Sequence, residues 1–421
     1  MTIETLAAIA TFVLLFGIIS RRIEHSIVTP PMAFVALGIL LGPQLLGLVT
    51  VDPDSAPVRL LAELTLVLVL FTDASRIDLK LLFRERELPL RLLSVGLALN
   101  VVLGTLAALV LFGGQLTPWE AAVLATILAP TDAALGQATM TDPRVPVCIR
   151  QTLNVESGLN DGLCLPVLLI FLSLASLQAS TEPPAFWLAL TGKQLLLGPV
   201  VGVAVGYVGG FAIARSIRWQ WSTQQFQDLA VLSLPILAFA LAEAIGGNGF
   251  LAAFCAGLTL GNTAHELCQC VHEFGEAEGQ LLVLLAFAIY GAVMVFPALA
   301  DWQWQIGAYA VFSLTIARSA GVAASVWGEG LRWETISFLG WFGPRGIASI
   351  LYGLLMLERG NLASSELIFH IMAVTVLLSV FTHGLTALPG TRWYAHRMAS
   401  AKGSAPELTE VREMPVRLPW R

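Results

Sequence analysis

Charge is scarce in this chain. Only 12% of its 421 residues are Asp, Glu, Lys or Arg, about half the share usual in soluble domains. With 56% hydrophobic residues, a water-soluble globule of this size could not hide its apolar surface, so lipid is the expected solvent for most of it. No basic stripe is present, which argues against nucleic acid as a partner. The five cysteines, Cys148, Cys164, Cys255, Cys268 and Cys270, lack the spacing of a disulfide framework. There is no nucleophile elbow and no helical His-Glu-x-x-His, and the six histidines fall mostly at predicted loops and span ends. A membrane enzyme is therefore not expected, and no cofactor is implied. The first apolar run has no basic flank and reads as a span rather than a cleavable signal.

What the chain does have is long apolar runs. A helix crossing a bilayer needs about 20 such residues at 1.5 Å rise each. Thirteen candidates run roughly over 3–20, 29–49, 58–73, 89–113, 117–138, 146–175, 192–214, 225–245, 247–262, 277–299, 304–327, 333–357 and 364–388. Runs such as Leu64-Thr65-Leu66-Val67-Leu68-Val69-Leu70 do not alternate, which argues against a β-barrel. The expected fold class is an all-α integral membrane protein of about 13 transmembrane helices. Residues 1–388 form the expected membrane domain, and residues 389–421 a short polar cytoplasmic tail. With the N-terminus outside, eighteen of the 23 Lys and Arg residues fall on the cytoplasmic side. The positive-inside rule then predicts a multi-pass inner-membrane protein, N-terminus out and C-terminus in.

Several residues break the apolar pattern. Ionisable groups at mid-membrane depth cost about 2.5–3.5 kcal/mol each on insertion scales and survive where they pair or line a watery cavity. Asp73, Asp132, Glu156, Asp161, Glu243, Arg318 and Arg345 are such positions. In the fifth span, Pro130 precedes Thr131-Asp132 and interrupts the helix. Freed carbonyls, the Thr131 hydroxyl and the Asp132 carboxylate make a cradle for a hard cation. The plainer reading is a proline kink with Asp132 capping the next turn. In the sixth span, Glu156 and Asn160 share one helical face, and Ser157 and Asp161 share the adjoining one. The plainer reading there is a polar loop, against which the apolar stretch that follows argues. In the twelfth span, Pro344 among Gly340, Gly343 and Gly346 makes a second break. Arg345 beside it needs an anionic partner, for which Glu156 is the candidate. Arg318 either caps broken helix ends or snorkels to an interface.

The breaks fall seven spans apart, as two inverted six-helix repeats about a central helix would place them, with the broken helices crossing at the midplane. Two features take blander readings. His265, Cys268, Cys270 and His272 lie on a predicted loop and are ligand types suited to zinc, but Cys-x-Cys is not a usual structural zinc spacing. Glu243, before Gly246-Gly247, suits a helix-end carboxylate.

These motifs resemble the NhaP/NHE type of sodium/proton exchanger among the cation:proton antiporters. The likeness rests on Glu156-Ser157-x-x-Asn160-Asp161, on Thr131-Asp132, on Gly343-Pro344-Arg345-Gly346, on the stretch from Leu241 to Asn262, and on Phe71-Thr72-Asp73. Two positions depart from the family pattern: Pro130 precedes the Thr-Asp pair instead of following it, and Arg318 is followed by Ser319 instead of proline. The resemblance implies electroneutral exchange of a monovalent cation for a proton by alternating access, with a homodimer formed through the first span. It implies that Asp161 binds the ion or the proton, with Asp132, Thr131, Ser157 and Asp73 completing the site. It makes Glu156 and Asn160 structural, with Arg345 on Glu156. Sodium, lithium and potassium would all suit these oxygen donors. Readings from other classes are a proton-uncoupled cation channel and a transport-inactive cation or pH sensor.

Overall fold

The computed structural model describes residues 3–24, 26–49, 56–84, 87–179, 183–264, 267–359, 362–399 and 406–408. Among these, every regular element is a helix, apart from one isolated bridge between Gly113 and Leu116. Each of the predicted apolar segments contains helix, although 29–49 is helical only to Leu41 and two others are split in the middle. Among the described residues, six helices are long and apolar enough to cross a membrane, and five shorter apolar ones accompany them. Their outward faces are apolar: Val110, Leu196, Val208 and Phe211 are all exposed. On a soluble protein such a surface would aggregate, whereas lipid matches it.

The helices sort into two packed groups. One contains Ala56–Ser75, Pro184–Arg218, Gln224–Ala244 and Gly249–Thr263, with Cys268–Val293 lying on Ala56–Ser75 and Pro30–Leu41. Here backbones meet directly, as at Gly257 against the Phe71 carbonyl and Gly261 against that of Ser75. The other group holds the interrupted helices. The first is split into Pro118–Ile127 and Ala133–Met140, the second into Trp333–Trp341 and Ile347–Arg359. Around them pack Leu97–Leu111, Val147–Ala179, Trp304–Phe312 with Arg318–Ser325, and Ser365–Met398.

The proline breaks are not the only correspondence between the halves. The helix before each broken one contains a π-helical turn, Leu92–Gly96 in the first half and Ser313–Ala317 in the second. The two helices touch where Gly321 lies against the Gly96 carbonyl. A π-turn adds a residue to the helical circuit and re-aims the side chains after it.

Three expectations shift. The last long helix does not stop at 388 but runs through Pro389 to Met398. The segment Cys268–His272 is helical, not loop; His265 lies outside the described residues. The tail returns to the bundle, because Glu407 is buried and accepts from the Arg332 amide at 2.8 Å and the Thr335 hydroxyl at 2.9 Å. It thereby caps the helix Trp333–Trp341, whose first amides have no partner within the helix.

Candidate ion site at the crossing of two broken helices

The two breaks are bonded to each other. The amide of Asp132 donates to the Pro344 carbonyl at 2.8 Å. Asp132 is buried and works at both helix starts. Its Oδ1 accepts from Ala134 N at 2.7 Å and Leu135 N at 3.3 Å, and its Oδ2 accepts from Ile347 N at 2.7 Å. One carboxylate therefore caps the N-termini of both inner half-helices, where its charge meets the positive ends of their dipoles. This is the capping reading of Asp132, extended to two helices. Gly346 makes the approach possible, since a Cβ there would overlap Asp132 Oδ2.

Arg345 serves the opposite end. It is fully buried, and its Nη1 donates to the Ala129 carbonyl at 2.7 Å and the Pro130 carbonyl at 3.2 Å. Those carbonyls are left open where the helix Pro118–Ile127 stops, and a cation there meets the negative end of its dipole. The Arg345 amide donates to Ser379 Oγ at 2.7 Å.

The expected Glu156–Arg345 pair is not formed. Glu156 is held by Arg318, through Nη1 to Oε1 and through Nη2 to Oε2 at 2.8 Å. Arg318 also reaches the Leu339 carbonyl at 3.2 Å. The physical reason is the π-turn Ser313–Ala317, which ends immediately before Arg318 and turns its side chain towards the carboxylate. Gly343 leaves room for it, because a Cβ there would overlap Arg318 Nε. The two arginines thus exchange the roles expected of them: Arg318 pairs, and Arg345 caps. Arg318 is buried and does not snorkel.

The polar face of Val147–Ala179 meets the first break. Thr131 Oγ1 lies 3.1 Å from Ser157 Oγ, and Asn160 Nδ2 donates to Thr131 Oγ1 at 2.6 Å. Among the described residues, Asn160 Oδ1 is buried without a hydrogen-bond partner. Asp161 is buried one residue on, and its carbonyl accepts from the Tyr352 hydroxyl. Thr131, Ser157 and Asn160 are therefore brought together beside the crossing, with Asp161 next to Asn160 on the same helix and Asp132 on the same break. Asp73 is buried on Ala56–Ser75, which packs on this helix, and its carbonyl lies against Gly158. Glu243 takes the plain role: its Oε1 accepts from Gly249 N at 2.9 Å.

Tyr352 and Ser379 of this arrangement carry no expectation from the sequence, and His383 is grouped there with histidines mostly at loops and span ends. His383 is buried inside the bundle, with Nε2 at 2.9 Å from the Trp341 carbonyl and Nδ1 at 3.2 Å from Ser379 Oγ. It is not at a span end. The spacing Ser379-x-x-x-His383, two polar residues on one face of an apolar helix, was the available signal. A cavity of about 420 Å³, lined by Ser26, Thr29, Leu135, Gln137, Asp142 and Arg144 among others, opens beside the helix that Asp132 caps.

Residues 8–393 match the family described as sodium/hydrogen exchanger, transmembrane. The chain belongs to this family. Among sodium/hydrogen exchanger relatives, the K(+)/H(+) antiporter NhaP of Alkalimonas amylolytica is 25% identical over 413 residues, which cover 97% of this chain and 69% of that protein. The K(+)/H(+) antiporter NhaP2 of Shewanella oneidensis is 23% identical over 368 residues, 86% of this chain and 62% of that one. The chain thus spans roughly two thirds of the length of these curated relatives. Among solved structures, the sodium proton antiporter MjNhaP1 from Methanocaldococcus jannaschii shares the fold. The TM-score is 0.76 at 19% identity, covering 95% of this chain and all of that one.

Proposed function

We propose that this chain exchanges a monovalent cation for protons across the cell membrane. Membership of a family of transporters supports this reading, as do relatives named as K(+)/H(+) antiporters. The observation that carries it is the placement of Asp161. It is buried one turn after Ser157, whose Oγ lies 3.1 Å from Thr131 Oγ1 at the first break. Carboxylate and hydroxyl oxygens are the donors a partly dehydrated alkali cation needs, and interrupted helices are where transporters place such sites.

Asp161 carries either a proton or a cation, never both, and that competition enforces exchange. Ser157 and Thr131 complete the cation's oxygen shell, with Asp73 closing it from the neighbouring helix group. Asp132, engaged by three amides, lends negative charge and holds the crossing. Asn160 positions Thr131, and the Glu156–Arg318 pair and Arg345 hold the surrounding frame. Only the loaded states cross, because a bare carboxylate is costly to move through an apolar barrier. One titrating carboxylate per cycle makes the exchange one for one and electroneutral. The helical bundle through Met398 carries transport, and the residues after it form the cytoplasmic tail. The N-terminus lies outside and the C-terminus inside the inner membrane. Two copies pair through the first helix, and the exchange serves pH and cation homeostasis. Sodium is the first cation to test, with potassium and lithium beside it.

The test is proteoliposomes holding a pH gradient, read with a pH-sensitive dye on addition of Na+, Li+ or K+, with Asp161→Asn alongside. Exchange predicts that a cation dissipates the gradient in wild type only, with no need for a membrane potential. A mutant that matches wild type would remove Asp161 from the site. Cation current without proton movement would favour a channel.

A further inference from the structure

A second group of ligating side chains lies away from the crossing. Glu366 and His370 sit one turn apart near the start of Ser365–Met398, so both project from one face. Asp301 comes from another element, at the C-terminal end of Val295–Ala300. One ligand atom from each lies within 4.8 Å of the other two. His370 is 7% exposed, and among the described residues it makes no hydrogen bond. Its Nδ1 faces Asp301 Oδ2 at 3.4 Å. A buried imidazole with no hydrogen bond, facing one carboxylate with a second close by, has the chemistry of a ligand held ready. Packing fixes its ring, while the exposed carboxylates are free to close.

We propose that Asp301, Glu366 and His370 bind a divalent transition-metal ion of the zinc class. One nitrogen and two carboxylate oxygens suit zinc, whereas calcium and magnesium favour all-oxygen shells. Zinc bonds of about 2.0–2.2 Å require the three ligand atoms to draw in by roughly 1 Å from their widest separation. Two rotating surface carboxylates can supply that movement. Three protein ligands leave a fourth position to water, so the ion binds reversibly and is not a fixture of the fold.

The position gives the ion a consequence. Asp301 ends the helical run that begins at Cys268, which packs on Pro30–Leu41 and Ala56–Ser75. His370 belongs to the helix whose Ser379 holds Arg345. A bound ion staples the first helix group to the second at one end of the bundle. If the second group moves during transport, as the proposed function requires, zinc slows exchange.

The test is titration of purified full-length protein with Zn2+ against a chromophoric chelator. Because Cys268, Cys270 and two histidines near them also have zinc-ligand chemistry, C268S/C270S is the background. The expected result is a single site in that background whose affinity falls more than about tenfold in His370→Ala and in D301N/E366Q. The paired carboxylate variant changes only exposed side chains, so it reads the site even if His370→Ala folds poorly. Unchanged zinc affinity in D301N/E366Q, or loss of all zinc binding in C268S/C270S alone, would overturn the proposal. These binding outcomes hold whether or not the chain transports. In proteoliposomes, Zn2+ should slow exchange by wild type and not by D301N/E366Q. Absence of any exchange there would count against the proposed function and leave the metal site standing.

Discussion

Arg318 grips Glu156 with both prongs of its guanidinium across 162 residues of chain, and both side chains are more than nine-tenths buried. Breaking such a pair from one side leaves an uncompensated charge, which costs about 3–5 kcal/mol. Arg318→Ala or Glu156→Ala should each lower stability on that scale in thermal unfolding. E156Q/R318Q should lose clearly less than the sum of its single changes. A double-mutant cycle between Glu156 and Arg345 should give the smaller coupling, and a larger one would reverse the assignment of the two arginines.

Asp132 accepts three backbone amides from two half-helices. Asparagine retains one acceptor oxygen and can serve only one of the two helix starts. Asp132→Asn should therefore destabilise the protein by about 1–3 kcal/mol, the cost of leaving a buried donor unsatisfied. It should weaken transport as well. Measured together, unfolding temperature and exchange rate separate a positioning defect from the loss of an ion ligand.

Gly346 lies where a Cβ would overlap Asp132 Oδ2. Gly346→Ala should force the crossing apart and cost about 1–3 kcal/mol, as overpacking does. Gly328, where a Cβ would meet open space, has a positive φ of 87°. Substitution there should show backbone strain alone, with no effect on the crossing.

If one carboxylate serves both ions, protons should compete directly with the cation. Below the carboxyl's own titration, the apparent KM for the cation should rise about tenfold for each unit of falling pH. The maximal rate should peak at intermediate pH, because too few protons starve the return step. A shallower KM slope would indicate that proton and cation occupy separate groups.

The loop after Ala133–Met140 carries its own pH signature. The Arg144 side chain hydrogen-bonds Asp142, at 2.6 Å from Nη2 to Oδ2, and holds its carboxyl below the ordinary range. A lowered folded pKa contributes stability above about pH 4, and the contribution vanishes as pH falls through the lowered value. The unfolding-temperature gap between wild type and Asp142→Asn should persist from pH 7 to pH 4 and close in stronger acid.

The breaks were legible because proline leaves a mark that composition cannot hide. Pro130 and Pro344 each lack the amide that would continue the helix, and both helices stop where expected. The carboxylate face of Val147–Ala179 was legible from four-residue spacing. The partner of Glu156 was not. Arg318 and Arg345 both lie inside apolar spans, and the choice between them depends on a π-turn for which Ser-Leu-Thr-Ile-Ala carries no signal. Tyr352, Ser379 and His383 were missed because a polar residue on an apolar helix gives no sign of which way it faces until the neighbours are known. The end of the last helix was misread because Pro389 breaks a pattern of composition without breaking the helix.

Tyr352 ties the second broken helix to the backbone of Asp161, and Asn160 ties the first one to the same helix. If they hold the cation as proposed, residues fastened to one another in this way are carried as a finished set. An exchanger driven by nothing but its two gradients obeys detailed balance at every step of the cycle. Such a protein has no built-in preference for import or export. The cell sets the direction of net flow through the two gradients alone, and reversing either gradient far enough would run the same cycle backwards.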